Sequence, residues 1–501
     1  IPDFAWGAME NLGGIKYRET ALLLDPNTAT QLEMMRVASV IAHEIAHMWF
    51  GDLVTMKWWN GVWLNEAFAT FAESKSTDAF RPEWMQWLVM GTDRARSQET
   101  DALEATRPIE FPVASPEEAD AMFDVLTYEK GSSVLRMLEQ YLGEETFRAG
   151  VSHYLKTHSF SNTDNEDLWA SLESVSDAPV GEIMKTWIFQ GGFPAIDVTS
   201  TDSGVELTQR QFRFIGEGDT RWKVPVLYSS SDGEGKVLVG DEPVQIEVGD
   251  DLIVNAGGEG FYRVNYDEAL AESLASRLDD LDPVERLAVV SDSLANVMAA
   301  EADTSDYLAL VEGLSGEREN DIWAMALAGL GEFDRIVSSD DRPALQQFTS
   351  ELLADRVAEL GWTVNQDDSD RTRALRGLLL RGMGNLAQDQ PTIAQAREIH
   401  SSDAEVDAEI ADAALMITAA NGDIEDFERF LDLSENAPTP QLTVKYLRAA
   451  VMVPHPDVPD RIVRMVIDRD IRTQDSFWVL ALLLGHRENG PRAWELITEN
   501  W

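Results

Sequence analysis

Two histidines and two glutamates in the first part of the chain have types and spacing that could hold and use a metal ion. His43, Glu44 and His47 stand in the order H-E-x-x-H, and Glu66 follows in a later Asn-Glu pair. Residues four apart lie on one face of a helix, so both imidazoles can face one ion. Two imidazoles and one carboxylate fit zinc with a fourth position left for water, and Glu44 can reach that water as its base.

The elements that must position these residues are two helices joined by a tryptophan-rich connection. The first is predicted to start from a cap at Asn27 or Thr28 and to run to about Phe50. The second is predicted from about Asn65 to Asp78, with its carboxylate ligand in the first turn, where the helix dipole favours a negative charge. The alternative to a metal site is that the two histidines lie on an ordinary amphipathic helix with an unrelated glutamate nearby. Ionisable side chains in so apolar a segment need a partner, and a metal ion supplies one.

Composition excludes several other classes of protein. The 501 residues include no cysteine, so disulfides and cysteine-ligated metals are excluded. A formal net charge of −49 disfavours nucleic acid and anionic membrane surfaces, and it could attract cationic ligands such as peptide amino termini. No apolar run reaches the length of a membrane span. The lack of cysteine and of a visible signal peptide favours the cytoplasm.

The periodicity of apolar residues changes twice along the chain. A short strand is predicted in the stretch that carries Ile15, Tyr17 and Ala21–Leu24 and ends at Asp25, and a helical pattern then runs to about Gln190. From Ala195 to Tyr266 the apolar residues alternate between turn signals, which indicates a small β-sandwich. Helical patterns return after Asp267, and they suggest stacked helices. With about three domains expected at this length, the predicted fold class is multidomain α+β.

Five motifs in their order resemble the zinc aminopeptidases of the aminopeptidase N type, within the gluzincin metallopeptidases. They are GAMEN at Gly7–Asn11, HEIAHMWFGDLVT at His43–Thr55, WLNEAFA at Trp63–Ala69, TYEKGSSVLRML at Thr127–Leu138 and WIFQGGFP at Trp187–Pro194. The resemblance covers essentially the whole chain and is strongest up to Pro194.

The resemblance implies a division into three domains. Residues 1–193 would form a mostly helical, thermolysin-like zinc catalytic domain that is incomplete at its amino terminus. Residues 194–267 would form the β-sandwich, and residues 268–501 an α-superhelical, HEAT-like domain that is incomplete at its carboxyl terminus. The chain would then be a fragment that lacks the family's amino-terminal β-domain and its carboxyl-terminal end.

The resemblance also implies an activity, the removal of the first residue from peptides that have a free amino terminus. One zinc ion per chain would bind the two histidines and Glu66. The phenol of Tyr128 would stabilise the oxyanion, because a phenol with a pKa near 10 stays protonated and donates. Glu10 would bind the substrate's α-ammonium, the backbone of Gly7 and Ala8 would pair with the peptide, and Met9 would edge the first side-chain pocket. For Tyr128 and Met9, a position in the core is the structural alternative.

Three rival functions remain open from sequence. A thermolysin-like zinc endopeptidase shares the metal ligands but needs no amine anchor at Glu10. An epoxide hydrolase of a related type usually has a second glycine where Ala8 stands. An inactive peptide-binding or scaffold protein would not need all the metal-site residues and Tyr128. The sequence leaves the preferred first residue of the substrate and the oligomeric state open.

Overall fold

The computed structural model describes residues 1–2, 4–249, 251–402 and 404–500. These described residues fall into two compact units. One unit comprises Ile1–Ile41 and Ser315–Trp501, and the other comprises Ala42–Leu314. The predicted metal-site residues from His43 to Tyr128 therefore belong to the second of these units.

The first part of the chain is mainly helical, with short strands between the helices. Its elements are β1 (Ala8–Met9), β2 (Lys16–Tyr17), α1 (Gln31–Ala46), β3 (Val54–Met56), α2 (Trp63–Phe80), α3 (Gln86–Asp101), α4 (Pro116–Asp120), a π turn (Leu126–Lys130), α5 (Gly131–Leu142), α6 (Glu144–Thr157), β4 (Ser161–Thr163), α7 (Asn165–Glu173) and α8 (Val180–Ile188).

Helix α1 is shorter at both ends than the sequence indicated. The backbone N–H of Thr30 donates to Glu33 at 2.8 Å, and the N–H of Glu33 donates to the Thr30 hydroxyl at 3.4 Å. This reciprocal capping box starts the helix later than the predicted cap at Asn27 or Thr28. The helix ends at Ala46 rather than Phe50 because the next N–H groups, at Met48 and Trp49, bond three residues back in a tighter turn.

Two further expectations for this part of the chain were wrong or incomplete. The first predicted strand is present only at β2 (Lys16–Tyr17); Ala21–Leu24 lies outside it, because the N–H groups of Leu22 and Leu23 donate locally to the carbonyl of Glu19. The connection that precedes α2 contains β3, which pairs in parallel with β4. This pairing was missed because each strand has three residues and β4 is wholly polar.

The middle of the chain forms two sheets within the described residues. Its strands are β5 (Pro194–Thr201), β6 (Gly204–Gln211), β7 (Val224–Ser230), β8 (Gly233–Val239), β9 (Val244–Ile246), β10 (Ile253–Val254) and β11 (Arg263–Tyr266). One sheet has the order β11-β5-β6-β9 and the other β10-β7-β8. All pairs are antiparallel except β11 with β5. Apolar residues of both sheets join one hydrophobic core with Trp63, Phe68 and Trp187 from the preceding helices.

Helices make up the rest of the chain, as the sequence predicted. They are α9 (Glu268–Ala275), α10 (Pro283–Met298), α11 (Thr304–Glu312), α12 (Asn320–Ile336), α13 (Arg342–Leu360), α14 (Asp370–Arg381), α15 (Gln390–Ser401), α16 (Ala408–Ala420), α17 (Ile424–Glu435), α18 (Pro440–Met452), α19 (Val458–Ile467), α20 (Thr473–Gly485) and α21 (Gly490–Glu499).

Helices, small sheets and a helical carboxyl-terminal part agree with a multidomain α+β fold. The thermolysin-like, β-sandwich and HEAT-like descriptions of its parts, and the boundaries at residues 193 and 267, stay predictions. None of the described helices combines the length and the apolar character that crossing a membrane requires.

Candidate metal centre

Three side chains come together where the sequence predicted a metal ion. The Nε2 atoms of His43 and His47 lie 3.0 Å apart, and Oε2 of Glu66 lies 3.3 Å from the first and 3.2 Å from the second. His43 is on the last turn of α1. His47 follows that helix, but its N–H still bonds the carbonyl of His43, so the four-residue spacing keeps its helical geometry. Glu66 lies in the first turn of α2.

The outer nitrogens of both imidazoles are held by hydrogen bonds that fix the rings. Nδ1 of His43 donates to Glu73 at 3.1 Å, and Nδ1 of His47 donates to the carbonyl of Phe50 at 2.9 Å. These contacts leave the lone pairs on both Nε2 atoms facing each other and Glu66. Such a set of acceptors needs a proton or a cation at its centre, and ligands of a tetrahedral zinc ion are about 3.3 Å apart. The donor set therefore fits zinc.

Electrostatics in this group favour a positive charge at its centre. Burial lowers the pKa of His43, but its hydrogen bonds with Glu66 and Glu73 outweigh burial and raise the pKa well above the usual value. Burial raises the pKa of Glu66, but the hydrogen bonds and charges of both histidines hold it below its usual range. A metal ion would replace the proton that this arrangement otherwise retains.

Glu73 is a functional candidate that the sequence reasoning missed. It lies seven residues after Glu66, which is two turns along the same face of α2. The signal was available in that spacing, but seven-residue spacing is common on helices and nothing in the motif pointed to it.

The other two predicted catalytic residues lie close to this group in the chain or in space. Glu44 follows His43 on α1 and is buried. Tyr128 is half-buried on the π turn, and its ring is 6.0 Å from the His43 ring, with an 18° angle between their planes. Single π turns inside helices are frequent at functional sites. Both residues keep their predicted roles as predictions.

A buried ion pair anchors the π turn that carries Tyr128. Nζ of Lys130 lies 2.8 Å from Oδ2 of Asp101, at the end of α3, and both side chains are fully buried. Lys130 also donates to the carbonyl of Gly192 at 3.0 Å, while the N–H of Gly192 donates to Asp101 at 2.9 Å. The motif TYEKG and the motif QGGFP thus meet through backbone and side-chain bonds.

The four predicted substrate-binding residues lie in the first unit. Ala8 and Met9 form β1, which pairs with β2 in the register Ala8 with Tyr17 and Met9 with Lys16. The carbonyl of Gly7 accepts a hydrogen bond from the N–H of Arg18 at 2.9 Å. These residues form an antiparallel ribbon, and the predicted roles of Gly7, Ala8, Met9 and Glu10 stay predictions.

Comparison with known proteins gives two family matches and many relatives. A peptidase family M1 domain matches residues 1–187, and an ERAP1-like C-terminal domain matches residues 252–501. Aminopeptidase M1 of Arabidopsis thaliana is 32% identical over 538 residues, which cover 100% of this chain and 61% of that protein. Aminopeptidase N of Lactobacillus delbrueckii subsp. lactis is 33% identical, and the match covers 100% of this chain and 61% of that protein.

A third relative is similar over a shorter stretch of the chain. Tricorn protease-interacting factor F2 of Thermoplasma acidophilum is 35% identical over 434 residues, which cover 83% of this chain and 54% of that protein. The chain therefore spans somewhat more than half the length of the curated relatives it matches. With one family match on the part that holds the metal centre and the other on the helical part, the chain belongs to peptidase family M1.

Proposed function

We propose that this chain is a zinc-dependent aminopeptidase that hydrolyses the first peptide bond of peptides with a free amino terminus. The observation that carries the proposal is the group formed by His43, His47 and Glu66, whose three donor atoms lie 3.0 to 3.3 Å apart. Family M1 peptidases are zinc enzymes in general, and two of the relatives above are named aminopeptidases.

His43, His47 and Glu66 would hold the ion. The chemistry that zinc supplies in such a site is Lewis acidity, which lowers the pKa of water and polarises a carbonyl group. Glu73 and the carbonyl of Phe50 keep the two rings oriented through their Nδ1–H groups. Rings oriented in this way need no rearrangement when the ion binds.

Glu44 and Tyr128 would carry the proton transfer and the charge stabilisation. Glu44 accepts a proton from the attacking water and passes it to the leaving nitrogen as the carbon–nitrogen bond breaks. The hydroxyl of Tyr128 donates a hydrogen bond to the carbonyl oxygen, which gains negative charge as the water oxygen bonds to the carbon. The products are the free first amino acid and the shortened peptide.

Residues 7–10 would make the enzyme act only at peptide ends. The carboxylate of Glu10 binds the α-ammonium, which an internal peptide bond cannot offer. Among the described residues β1 pairs only with β2, so a substrate backbone could extend the ribbon at Gly7 and Ala8. Met9, which is 42% exposed, would contact the first side chain.

A Glu44→Gln variant and a blocked substrate test this proposal together. We expect the variant to bind one zinc per chain, as measured by elemental analysis, and to hydrolyse alanine p-nitroanilide about 10²- to 10⁴-fold more slowly. Glu104→Gln, on an exposed glutamate, is the matched control. Undiminished activity of Glu44→Gln would remove this residue from the mechanism.

Acetylation of the substrate's amino group separates the two peptidase alternatives. We expect the N-acetylated alanine anilide to be hydrolysed far more slowly than the free amine. Equal rates would refute the aminopeptidase assignment and favour the endopeptidase. Failure of purified protein to bind zinc would refute the metal centre itself.

A further inference from the structure

A cavity of about 150 Å³ opens beside the metal centre, and no step of the proposed mechanism uses it. His43 and Tyr128 form part of its wall, and α2, α3 and α5 supply most of the rest. A buried space of this volume holds a molecule the size of benzene. Lysine and arginine side chains, with five and seven non-hydrogen atoms, are of similar size.

The wall of this cavity is acidic. It includes the carboxylates of Glu73, Asp93 and Glu129 and, among the described residues, no lysine or arginine. Arg96 approaches this wall from outside it, with Nη2 3.6 Å from Glu129 and a side chain that is 66% exposed. Glu73 also holds the ring of His43. This surface would therefore repel an anionic ligand and would offer a neutral ligand no electrostatic attraction.

Three hydroxyl groups of the wall present acceptors to the cavity. The hydroxyl groups of Thr70, Ser74 and Ser132 each donate to a backbone carbonyl, at 2.9, 3.2 and 3.1 Å. Their remaining lone pairs are what a ligand in the cavity would meet.

Two buried polar atoms in the same wall lack a partner among the described residues. They are Oε1 of Gln86 and Oγ of Ser133, on residues that are 5% and 1% exposed. A buried polar atom without a hydrogen bond costs free energy, and a carbonyl oxygen can be satisfied only by a donor. Met90, also buried in this wall, offers apolar contact for an aliphatic stem.

We propose that this cavity is a specificity pocket for a basic side chain, lysine or arginine, next to the bond that is cleaved. The inference rests on the proposed peptidase function and deepens it by naming a substrate class. An ammonium or guanidinium group brings positive charge and several N–H donors, and the wall offers carboxylates and acceptor oxygens for both.

The electrostatics of Glu129 agree with this assignment. The pKa of Glu129 is raised to about 7: burial is the largest cause, the charges of Asp93 and Glu73 add to it, and Arg96 opposes it. A bound cation would reverse this effect by stabilising the ionised carboxylate.

The test compares substrates that differ only in the terminal ammonium. Lysine and norleucine p-nitroanilides place the side chain at the first residue. Alanyl-lysine amide and alanyl-norleucine amide place it at the second. We expect the lysine substrate to have at least about a ten-fold higher kcat/KM at one of these positions, and that position identifies the residue that enters the cavity.

Two variants connect the preference to the cavity. Asp93→Asn and Glu129→Gln should each lower the lysine-to-norleucine ratio of kcat/KM by about ten-fold or more. Asp202→Asn and Glu217→Gln, on exposed residues of the same unit, should leave the ratio unchanged. Because the readout is a ratio within one protein preparation, partial unfolding of a variant cancels.

Two outcomes would overturn the inference. One is a ratio near one at both positions, and the other is a high ratio that neither Asp93→Asn nor Glu129→Gln reduces. Either result leaves the proposed function intact as long as the norleucine substrates are hydrolysed. Failure of the unmodified protein to hydrolyse any of the four substrates would instead refute the proposed function.

Discussion

The close contact between Gly131 and Ala67 makes a sharp test of how Tyr128 is placed. Ala67 directly follows the ligand Glu66, and Gly131 lies three residues after Tyr128 at the start of α5. A Cβ atom built on Gly131 would stand 2.7 Å from Cβ of Ala67, whereas ordinary contact begins at 3.4 Å. In Gly131→Ala, α2 and the start of α5, which directly continues the π turn, must therefore separate by about 0.7 Å or more.

This separation is expected to slow catalysis as well as to lower stability. A displacement of about 1 Å near reacting groups can cost about 10²-fold in rate. Overpacking of this kind usually costs about 1–3 kcal/mol of folding stability. We expect kcat to fall about 10- to 100-fold with a smaller change in KM, because Tyr128 is proposed to act on the transition state.

The assay measures kcat, KM and zinc content for the unmodified protein and five variants. In Ala67→Gly/Gly131→Ala the clashing methyl group is removed, so kcat should recover, although a glycine inside α2 costs about 1 kcal/mol. In a Tyr128→Phe background, Gly131→Ala should have little further effect on kcat. Gly150→Ala is the control, since its Cβ would stand 2.6 Å from Leu172 in the pair α6 and α7. Gly150→Ala should lower the free energy of unfolding and leave kcat unchanged.

The reasoning would be refuted by a Gly131→Ala protein with normal kcat in which Tyr128→Phe is still slow. It would also be refuted if Gly131→Ala slowed the Tyr128→Phe protein as much as the unmodified one. In that case the glycine would act through general packing rather than through the phenol.

Three other predictions follow from the site. Glu73→Gln should weaken zinc affinity about 10- to 100-fold in a chelator competition, because Nδ1 of His43 loses its carboxylate partner; unchanged affinity would contradict this. The lysine-to-norleucine ratio should rise from about pH 6 to pH 8, because Glu129, with its pKa raised to about 7, ionises there while lysine stays charged; a flat ratio would contradict it. Lys130→Met should lower the free energy of unfolding by about 3–5 kcal/mol in urea titrations, since Asp101 would become a buried unpaired carboxylate; a loss below about 1 kcal/mol would contradict it.

The metal group was predictable because its information is local. The spacing of His43 and His47 places both rings on one helix face, and the apolar residues around them fix which face is buried. Glu66 needed one further step, the expectation of a second helix that starts beside it. Tyr128 is different, because only the flanking motif distinguished it from a core tyrosine.

What the sequence could not predict depends on contacts between distant segments. The acidic cavity is built from α2, α3 and α5, and no single stretch of sequence contains its wall. The pairing of β3 with β4 likewise joins segments about a hundred residues apart. The early end of α1 is instead a local effect, because the N–H groups of Met48 and Trp49 bond three residues back, and this turn supplies the carbonyl of Phe50 that holds His47.

Because of the π turn at Leu126–Lys130, the proposed role of Tyr128 depends on how many residues this stretch contains as well as on which residues they are. A π turn contains one residue more than an α turn, and each residue rotates the chain by about 100°. A relative with a one-residue deletion here could run as unbroken helix into α5, with better backbone hydrogen bonding. Its tyrosine would then point about 100° around the helix axis from the present direction. Insertions and deletions in this stretch should therefore separate active members from inactive ones even where every motif residue is retained.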